Sequence, residues 1–339
     1  MPQTKITSAD VAKLSGVSRS AVSRVFTPGA SASKSTVDKV RKAAAELGYR
    51  PNVLARAMVS GKSNIIGLVV AYLDNQFYPE ALEKLSNTLQ AEGYHILIFM
   101  ASQKAGNLEN IVEEILDYQV DGIIAASVDL SSDLTERCHA AGVPMVHFNR
   151  YQDIPHVSAV TSDNRAGGRK IADYLVAGGH RKIGYIAGWE GASTQRDREA
   201  GFVDGLRAGG QSLHKRGVGN FLMEEASNAA REMFAKDAPD AVFVANDHMA
   251  LAVMDTLRFE LGISIPDDVS VVGFDDVPAA AWPTYSLTTV RQSADQMVAD
   301  TVEILLRKIN VINTTPRQVE IEGPLIIRGS ARVPEGWTE

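Results

Sequence analysis

Cysteine is almost missing from this sequence. Cys138 stands alone, so no intrachain disulfide can form and no cysteine cluster can hold a metal. Long apolar runs are missing too. None approaches the roughly 20 residues of a membrane-spanning helix, and the opening MPQTKITSADV has neither the apolar core nor the cleavage site of a secretory signal. A cytoplasmic chain is expected. The seven histidines show no H-x-x-x-H or H-E-x-x-H spacing, and no metal centre is expected. Glycine is missing where nucleotide chemistry would need it. The first strand-like run, IIGLVVA, is followed by AYLDNQFYPE, which has no glycine, so G-x-G-x-x-G is absent there. SGKS at Ser60–Ser63 lacks the first glycine of a phosphate-binding loop and precedes a strand instead of following one. These absences argue against a dehydrogenase or a kinase, and no cofactor is expected.

What is present is an ordinary globular mix, 45% hydrophobic and 22% charged, in 339 residues. That length exceeds what one hydrophobic core serves, so two or three domains are expected. The net charge of -7 hides an asymmetry. Residues 1–62 hold eleven lysines and arginines against three acidic residues, a surplus of eight positive charges. The remainder carries a surplus of fifteen negative ones. A basic head on an acidic body suits a head that meets a polyanion and a body that does not.

The head reads as short capped helices. Thr7 can cap a first helix with Asp10 three residues later, and Ile6 and Val11 are placed to staple its entry. Ser18 can cap a second helix, with Val17 and Val22 at the same staple spacing, and Ser15-Gly16 supplies a tight turn. Val11, Ala12, Leu14, Val17, Ala21, Val22 and Val25 are expected to form the buried faces, leaving Arg19, Ser20, Ser23 and Arg24 on the other side. This is the pattern of a helix-turn-helix, whose second helix enters the DNA major groove by its N-terminal end; a helical hairpin with a solvated face is the plainer alternative. A third helix follows from a cap at Ser33 to about Leu47, with Gly48 at its αL end. Pro51 stops the chain, and Asn52 can cap a segment, VLARAMVSG, that is too short to hold a helix in water. That segment is expected to order only against DNA and a partner copy.

From Asn64 onward, short apolar runs alternate with helical stretches. The expected strands are IIGLVVA, YHILIFM, DGIIAAS, VPMVHFN, KIGYIAG, AVFVAND and SVVGFDD, with helices including Glu80–Glu92, Leu108–Tyr118, Arg165–Ala177 and Met249–Leu261. Runs apolar on both faces and separated by crossover helices indicate parallel sheets covered on both sides, and about 230 residues suffice for two. Ligands in such folds gather beyond the carboxyl ends of the strands. Those positions hold Asp74, Asn75, Phe77, Tyr78, Asn149, Arg150, Arg196, Arg198, Phe221, Asn246, Asp247, Asp275 and Asp276. Carboxylate, amide and guanidinium groups with a few aromatic faces suit a small polyhydroxylated ligand. Asp and Asn at strand ends also cap helices, and Asp247 and Asp276 are read as such structural groups. His180, before a strand, is read as structural too.

DVAKLSGVSRSAVSRV followed by AAELGYRPNVLARAM resembles the DNA-binding head of the lactose-repressor (LacI/GalR) family of bacterial regulators. GGHRKIGYIAG, REAGF, VANDHMALAVM, VSVVGFDD and SLTTVRQ resemble that family's effector domain, itself similar to periplasmic sugar-binding proteins. The resemblance implies a helix-turn-helix head over residues 1–50, a hinge helix over 51–62, and a two-lobed α/β body over 63–339. The first lobe would hold about 63–161 plus 292–320, the second about 162–291 plus 321–333. It implies base-edge contacts from Arg19, Ser20 and Arg24, and phosphate contacts from Thr7, Ser18, Ser23 and Asn52. Ala55 and Met58 would bind DNA from the hinge, Met58 as the minor-groove wedge where the family usually has leucine. Effector contacts would fall on Arg198, Asn246 and Asp275, with Phe77, Tyr78, Asn149, Arg196 and Phe221 as further candidates by position. Ala294 stands where the family's namesake has an aromatic pocket residue.

The reading is a homodimeric regulator without enzymatic activity, expected to be a repressor, bound to a pseudo-palindromic operator on double-stranded DNA and switched by a sugar-like metabolite. A secreted solute-binding protein, or an α/β enzyme with a basic appendage, is the alternative. Both leave the first 62 residues without a role.

Overall fold

The computed structural model describes residues 6–27, 30–50, 62–101, 107–128, 131–152, 154, 156–311 and 315–337. The chain divides into two units, Met1–Asn64 and Ile65–Glu339.

In the first unit, α1 (Ser8–Ser15), α2 (Arg19–Val25) and α3 (Lys34–Leu47) start and stop where the local chemistry directs. The Thr7 amide and hydroxyl both donate to the Asp10 carboxylate, at 2.8 and 2.7 Å, and this bonding lowers the Asp10 pKa. Ser18 Oγ accepts from Ala21 N and Ser33 Oγ from Thr36 N. Gly16 and Gly48 close α1 and α3 with φ of 68° and 67°, a conformation costly to any residue with a Cβ. Val11, Ala12, Val22, Val40, Ala43 and Ala44 form the small core, with Val17, Val25, Phe26, Leu47 and Tyr49 packed around it. Two expectations are corrected here. Leu14 faces solvent at 47% exposure instead of joining the buried face, and Ile6 is exposed at 38% while Val11 is fully buried. Asn52, Ala55 and Met58 lie outside the described residues.

The body holds two six-stranded sheets. The strands are β1 (Ile65–Val70), β2 (His95–Met100), β3 (Gly122–Ala126), β4 (Met145–Phe148), β5 (Ser158–Ser162), β6 (Ile183–Ala187), β7 (Lys215–Val218), β8 (Ala241–Val244), β9 (Ser270–Asp275), β10 (Thr288–Arg291), β11 (Gln318–Ile321) and β12 (Leu325–Ile326). The first sheet runs β11-β5-β4-β3-β1-β2, the second β12-β10-β9-β8-β6-β7. Every pairing is parallel except β10 with β12. The helices are α4 (Phe77–Ala91), α5 (Asn107–Asp117), α6 (Ser132–Ala140), α7 (Asn164–Ala177), α8 (Ser193–Ala208), α9 (Met223–Phe234), α10 (Asp247–Asp255) and α11 (Ala294–Asn310).

All seven expected strands are present; β5, β7, β10, β11 and β12 were not anticipated. β5 is fully buried yet reads SAVTS, because hydroxyls with partners replace branched apolar side chains there. Ser158 Oγ accepts from Arg317 N and Ser162 Oγ donates to Gln292 Oε1. β7 and β11 are sheet edges with mostly half-buried or exposed side chains, and β12 is two residues long. α4 begins at Phe77, ahead of the expected Glu80, because Asn75 Oδ1 accepts from Phe77 N. α10 begins at Asp247 and ends in a π-helical turn, Thr256–Glu260. The chain passes between the sheets three times, after β5, after β10 and after β11. α11 packs back on the first sheet and on α4. Cys138 lies in the smaller core beside β3 and β4, where burial pushes its thiol up to about 11 and leaves it inert as a nucleophile.

Candidate functional sites

On the head, Arg19, Ser20, Ser23 and Arg24 are all exposed, and the buried side of α2 is Val22. Ser18 has a structural share in this face: its hydroxyl caps α2 and lies 2.9 Å from Ser20 Oγ. Thr7 is exposed at the start of α1. Between α2 and the N-terminus of α3 lies a hollow of about 350 Å3 lined by Ala21, Arg24, Ser31, Ala32, Ser33 and Thr36. The sequence marks only Ser33 of its four α3-side residues, as a cap, although a capped helix start beside an arginine suits an anion.

On the body, the candidates fall into two groups at the carboxyl ends of the two sheets. At the first sheet, Tyr78 Oη donates to Ser127 Oγ at 2.6 Å and Asn149 Nδ2 donates to Tyr78 Oη at 3.1 Å. Asn149 is buried in the left-handed conformation, and its Oδ1 has no hydrogen-bond partner. Phe77 stacks on Phe148 and meets Tyr78 edge-on, so its ring is shared with the core. At the second sheet, Arg198 is 2% exposed and fully engaged. Its Nε donates to Asn164 Oδ1 at 2.8 Å, Nη1 to Ala245 O at 2.6 Å, and Nη2 lies 3.4 Å from Asp275 Oδ1. The guanidinium sits 3.7 Å from the Phe274 ring centroid. Phe221 is buried with φ of 62° and packs its ring where a Cβ on Gly188 would otherwise stand. Arg196 stands apart, exposed and donating to Gly191 O.

The two groups meet directly. Asn75 Nδ2 donates to Asp275 Oδ2 at 2.9 Å, Ala279 N to Gln76 Oε1 at 3.1 Å, and Tyr151 N to Ser193 Oγ at 2.9 Å. Ser127, Ser193, Asn164 and Gln292 belong to this arrangement and escaped the sequence reading. Two of them offered a signal: Ser127 stands just beyond the third strand, and Gln292 ends the SLTTVRQ motif. Asn246 spends its Oδ1 capping α10 through Met249 N. Asp247 does not cap; it is fully buried and accepts from Val277 N and Thr289 Oγ1. Asp276 is structural as expected, holding Arg291 and Arg328 at 2.7 and 2.6 Å. So is His180, buried between Asp240 and Arg332. Ala294 is buried at the first position of α11. Among the described residues no cluster of metal-ligating side chains occurs.

Burial raises the Asp275 pKa, against the opposing pull of Arg198, Asn75 and Gln292. Burial, and then the Asp275 charge, pushes Asp247 up to about 7. An aspartate in an unfolded chain loses its proton near pH 4. Between pH 4 and 7 unfolding therefore releases the Asp247 proton, and the contribution of Asp247 to stability falls as pH rises through that window. His147 acts in the opposite sense. Buried with both ring nitrogens unpartnered, it is held neutral down to about pH 4, so its contribution falls as pH drops below about 6.5. Asp247→Asn should remove the first effect alone. Its urea midpoint should gain on the wild type as pH goes from 5 to 8; parallel pH profiles would show that Asp247 titrates as an ordinary carboxylate.

A capped helix-turn-helix with an exposed basic face, and a two-sheet body with polar groups converging at the strand ends, define a DNA-binding regulator with a periplasmic-binding-protein-like sensor. Residues 7–52 match the bacterial regulatory proteins of the lacI family, and residues 172–331 match the periplasmic binding protein-like domain. The transcriptional regulator CelR of Thermobifida fusca is 32% identical over 332 residues, spanning 94% of this chain and 96% of that protein. The transcriptional repressor PurR of Photobacterium profundum is 28% identical over 327 residues, spanning 95% and 98%. Among solved structures, the Lac repressor dimer bound to operator and the anti-inducer ONPF matches with a TM-score of 0.86 at 26% identity, covering 96% of this chain and 99% of that one. The CelR–cellobiose complex matches with a TM-score of 0.73 at 30% identity, covering 96% and 99%. The chain belongs to the LacI family of bacterial transcriptional regulators. Its described residues contain no helix long and apolar enough to cross a membrane.

Proposed function

We propose that this protein is a homodimeric repressor that holds a pseudo-palindromic operator with two heads and responds to a small sugar-like metabolite bound between the two sheets of its body. It acts on DNA in the cytoplasm and catalyses no reaction. The observation that carries the reading is the Asn75–Asp275–Arg198 contact, where the two sheet ends meet through groups suited to a polar ligand. Asp275 accepts hydroxyl or N–H donors, Arg198 lies beside it, Asn246 at the end of β8 adds an amide, and the unpartnered Asn149 Oδ1 offers a second acceptor on the opposite wall. Tyr78 and Phe221 supply rings for a sugar's C–H face.

Dimer formation is supported by Ile98 and Met100, which leave apolar surface exposed on the edge strand β2. A two-fold dimer imposes its symmetry on the operator. Arg19, Ser20 and Arg24 read bases, while Thr7, Ser18, Ser23 and the hollow beside Arg24 hold phosphates. Asn52, Ala55 and Met58 act from the hinge.

Two experiments test this. Sequences selected from a random DNA pool by the full chain should be palindromic, and Arg19→Ala should weaken binding to the selected site by roughly 10- to 100-fold while relaxing one position of each half-site. A uniform loss across all sequences would assign Arg19 to phosphate instead. A thermal-shift screen of the full chain against neutral sugars, sugar acids, sugar phosphates and purines should return a ligand, since 100 times the dissociation constant stabilises by about 2.7 kcal/mol. A blank screen would remove the cleft residues from their assigned role.

A further inference from the structure

Five buried residues form a closed ring of hydrogen bonds and one ion pair around two of the three passages between the sheets. Ser162 Oγ donates to Gln292 Oε1 at 2.8 Å, and Gln292 Nε2 donates to Asp275 Oδ1 at 2.6 Å. Arg198 Nη2 meets the same oxygen at 3.4 Å, and its Nε donates to Asn164 Oδ1 at 2.8 Å. Asn164 Nδ2 closes the ring on Ser162 O at 2.8 Å. Ser162 and Asn164 flank the passage from β5 to α7, and Gln292 lies in the passage from β10 to α11. The third passage is laced to the first two through the backbone. Asp163 N donates to Ile321 O and Arg291 N to Pro324 O, both at 2.9 Å. A Cβ on Gly323 would stand 1.8 Å from Arg291 O, so these segments are already in contact.

We propose that Gln292 is a positioning residue that couples the ligand-facing carboxylate of Asp275 to the segments joining the two sheets. The Gln292 amide spends both of its ends here, the oxygen accepting from Ser162 and the nitrogen donating to Asp275. The Gln292 backbone N–H also donates to Asp275 O, so the residue is tied to Asp275 twice. The outer oxygen of Asp275 is held by Asn75 of the other lobe, and a ligand donor would take that place. Whatever displaces Asn75 alters the charge and position of Asp275, and Gln292 passes that change to Ser162 and the passage beside it. The proposal rests on the reading of Asp275 as an effector contact, but its test needs no ligand, so failure of one leaves the other to be judged separately.

The test is amide hydrogen exchange on the full chain. Asn75→Ala removes the charge-assisted bond to Asp275 and should speed exchange in β10 and β11 by about tenfold. In a Gln292→Met background the same substitution should add no more than about twofold. An equal gain in both backgrounds, or no gain in the wild type, overturns the proposal. Gln296→Ala, exposed on α11 and bonded to Asp300, should leave the Asn75 effect whole. Should Gln292→Met fail to fold, Gln292→Glu serves. It keeps the acceptor for Ser162 but faces Asp275 with a second carboxylate, so protection at Ser162 and Asp163 should fall as pH rises from 5 to 8. A flat pH profile in that variant also overturns the proposal.

Discussion

Replacing Gly201 with valine should cost the body about 3 kcal/mol or more and lower its melting temperature by about 6–12 °C. The cause is the contact between α7 and α8. A Cβ on Gly201 would stand 2.0 Å from Arg165 O, and a Cβ on Gly168 would stand 2.2 Å from Arg198 O. Both obstructions are backbone atoms of the facing helix, so no rotamer change relieves them. The helices must separate, and their separation pulls on the site. Arg198 lies one turn before Gly201 on α8, and its partner Asn164 is the first residue of α7. The expectation is therefore double: a lower melting temperature, and weaker ligand binding in whatever fraction stays folded. Calorimetry on the full chain checks it, with Ala208→Val at the exposed end of α8 as the control. Equal melting of the two variants would show that the helices have room to spare.

The capped helices of the head were legible because each cap is a local matter. Thr7, Ser18, Ser33, Gly16 and Gly48 act on residues within one turn, and the sequence places them side by side. Leu14 was misread because periodicity cannot tell which apolar residue of a short helix lies past the rim of so small a core. In the body, strands built of branched apolar residues announced themselves, whereas β5 did not. Its burial depends on hydroxyl partners at Arg317 and Gln292, more than a hundred residues away in the chain. The site followed the same rule. Arg198 and Asp275 were found from strand ends and motifs, but the ring that holds them was invisible, since Asn164 carries no local mark and Gln292, though it ends the SLTTVRQ motif, finds its partners far away in the chain. Asn246 and Asp247 show the limit of reading adjacent polar residues. Either could cap α10, and the choice fell to Asn246 because Asp247 is drawn inward by Thr289 and Val277. That inward turn requires Gly273, where a Cβ would stand 2.2 Å from Asp247 Oδ1.

Asp275→Asn should weaken effector binding by roughly 10- to 150-fold, the worth of a charge-assisted hydrogen bond, while operator affinity without effector stays within about twofold. The substitution is isosteric, and its amide can point only one way. Gln292 and Arg198 both donate toward Oδ1, so the asparagine oxygen must stay there. Its NH2 then faces Asn75 Nδ2, donor against donor, and the contact between the lobes is lost together with the acceptor for the ligand. The head carries its own core and caps, so the DNA-binding face is untouched. By linkage, an effector that binds weakly must also move operator affinity less at any given concentration. A fluorescence titration of operator, with and without the ligand found by the screen, reads both quantities. A second signature separates lost charge from lost fold. The Asp275 charge helps hold the Asp247 pKa up, so in Asp275→Asn the pKa of Asp247 should move down and its loss of stability with rising pH should shrink. If operator affinity falls as far as effector affinity, Asp275 serves the fold rather than the ligand, and the sensor must be sought elsewhere in the body.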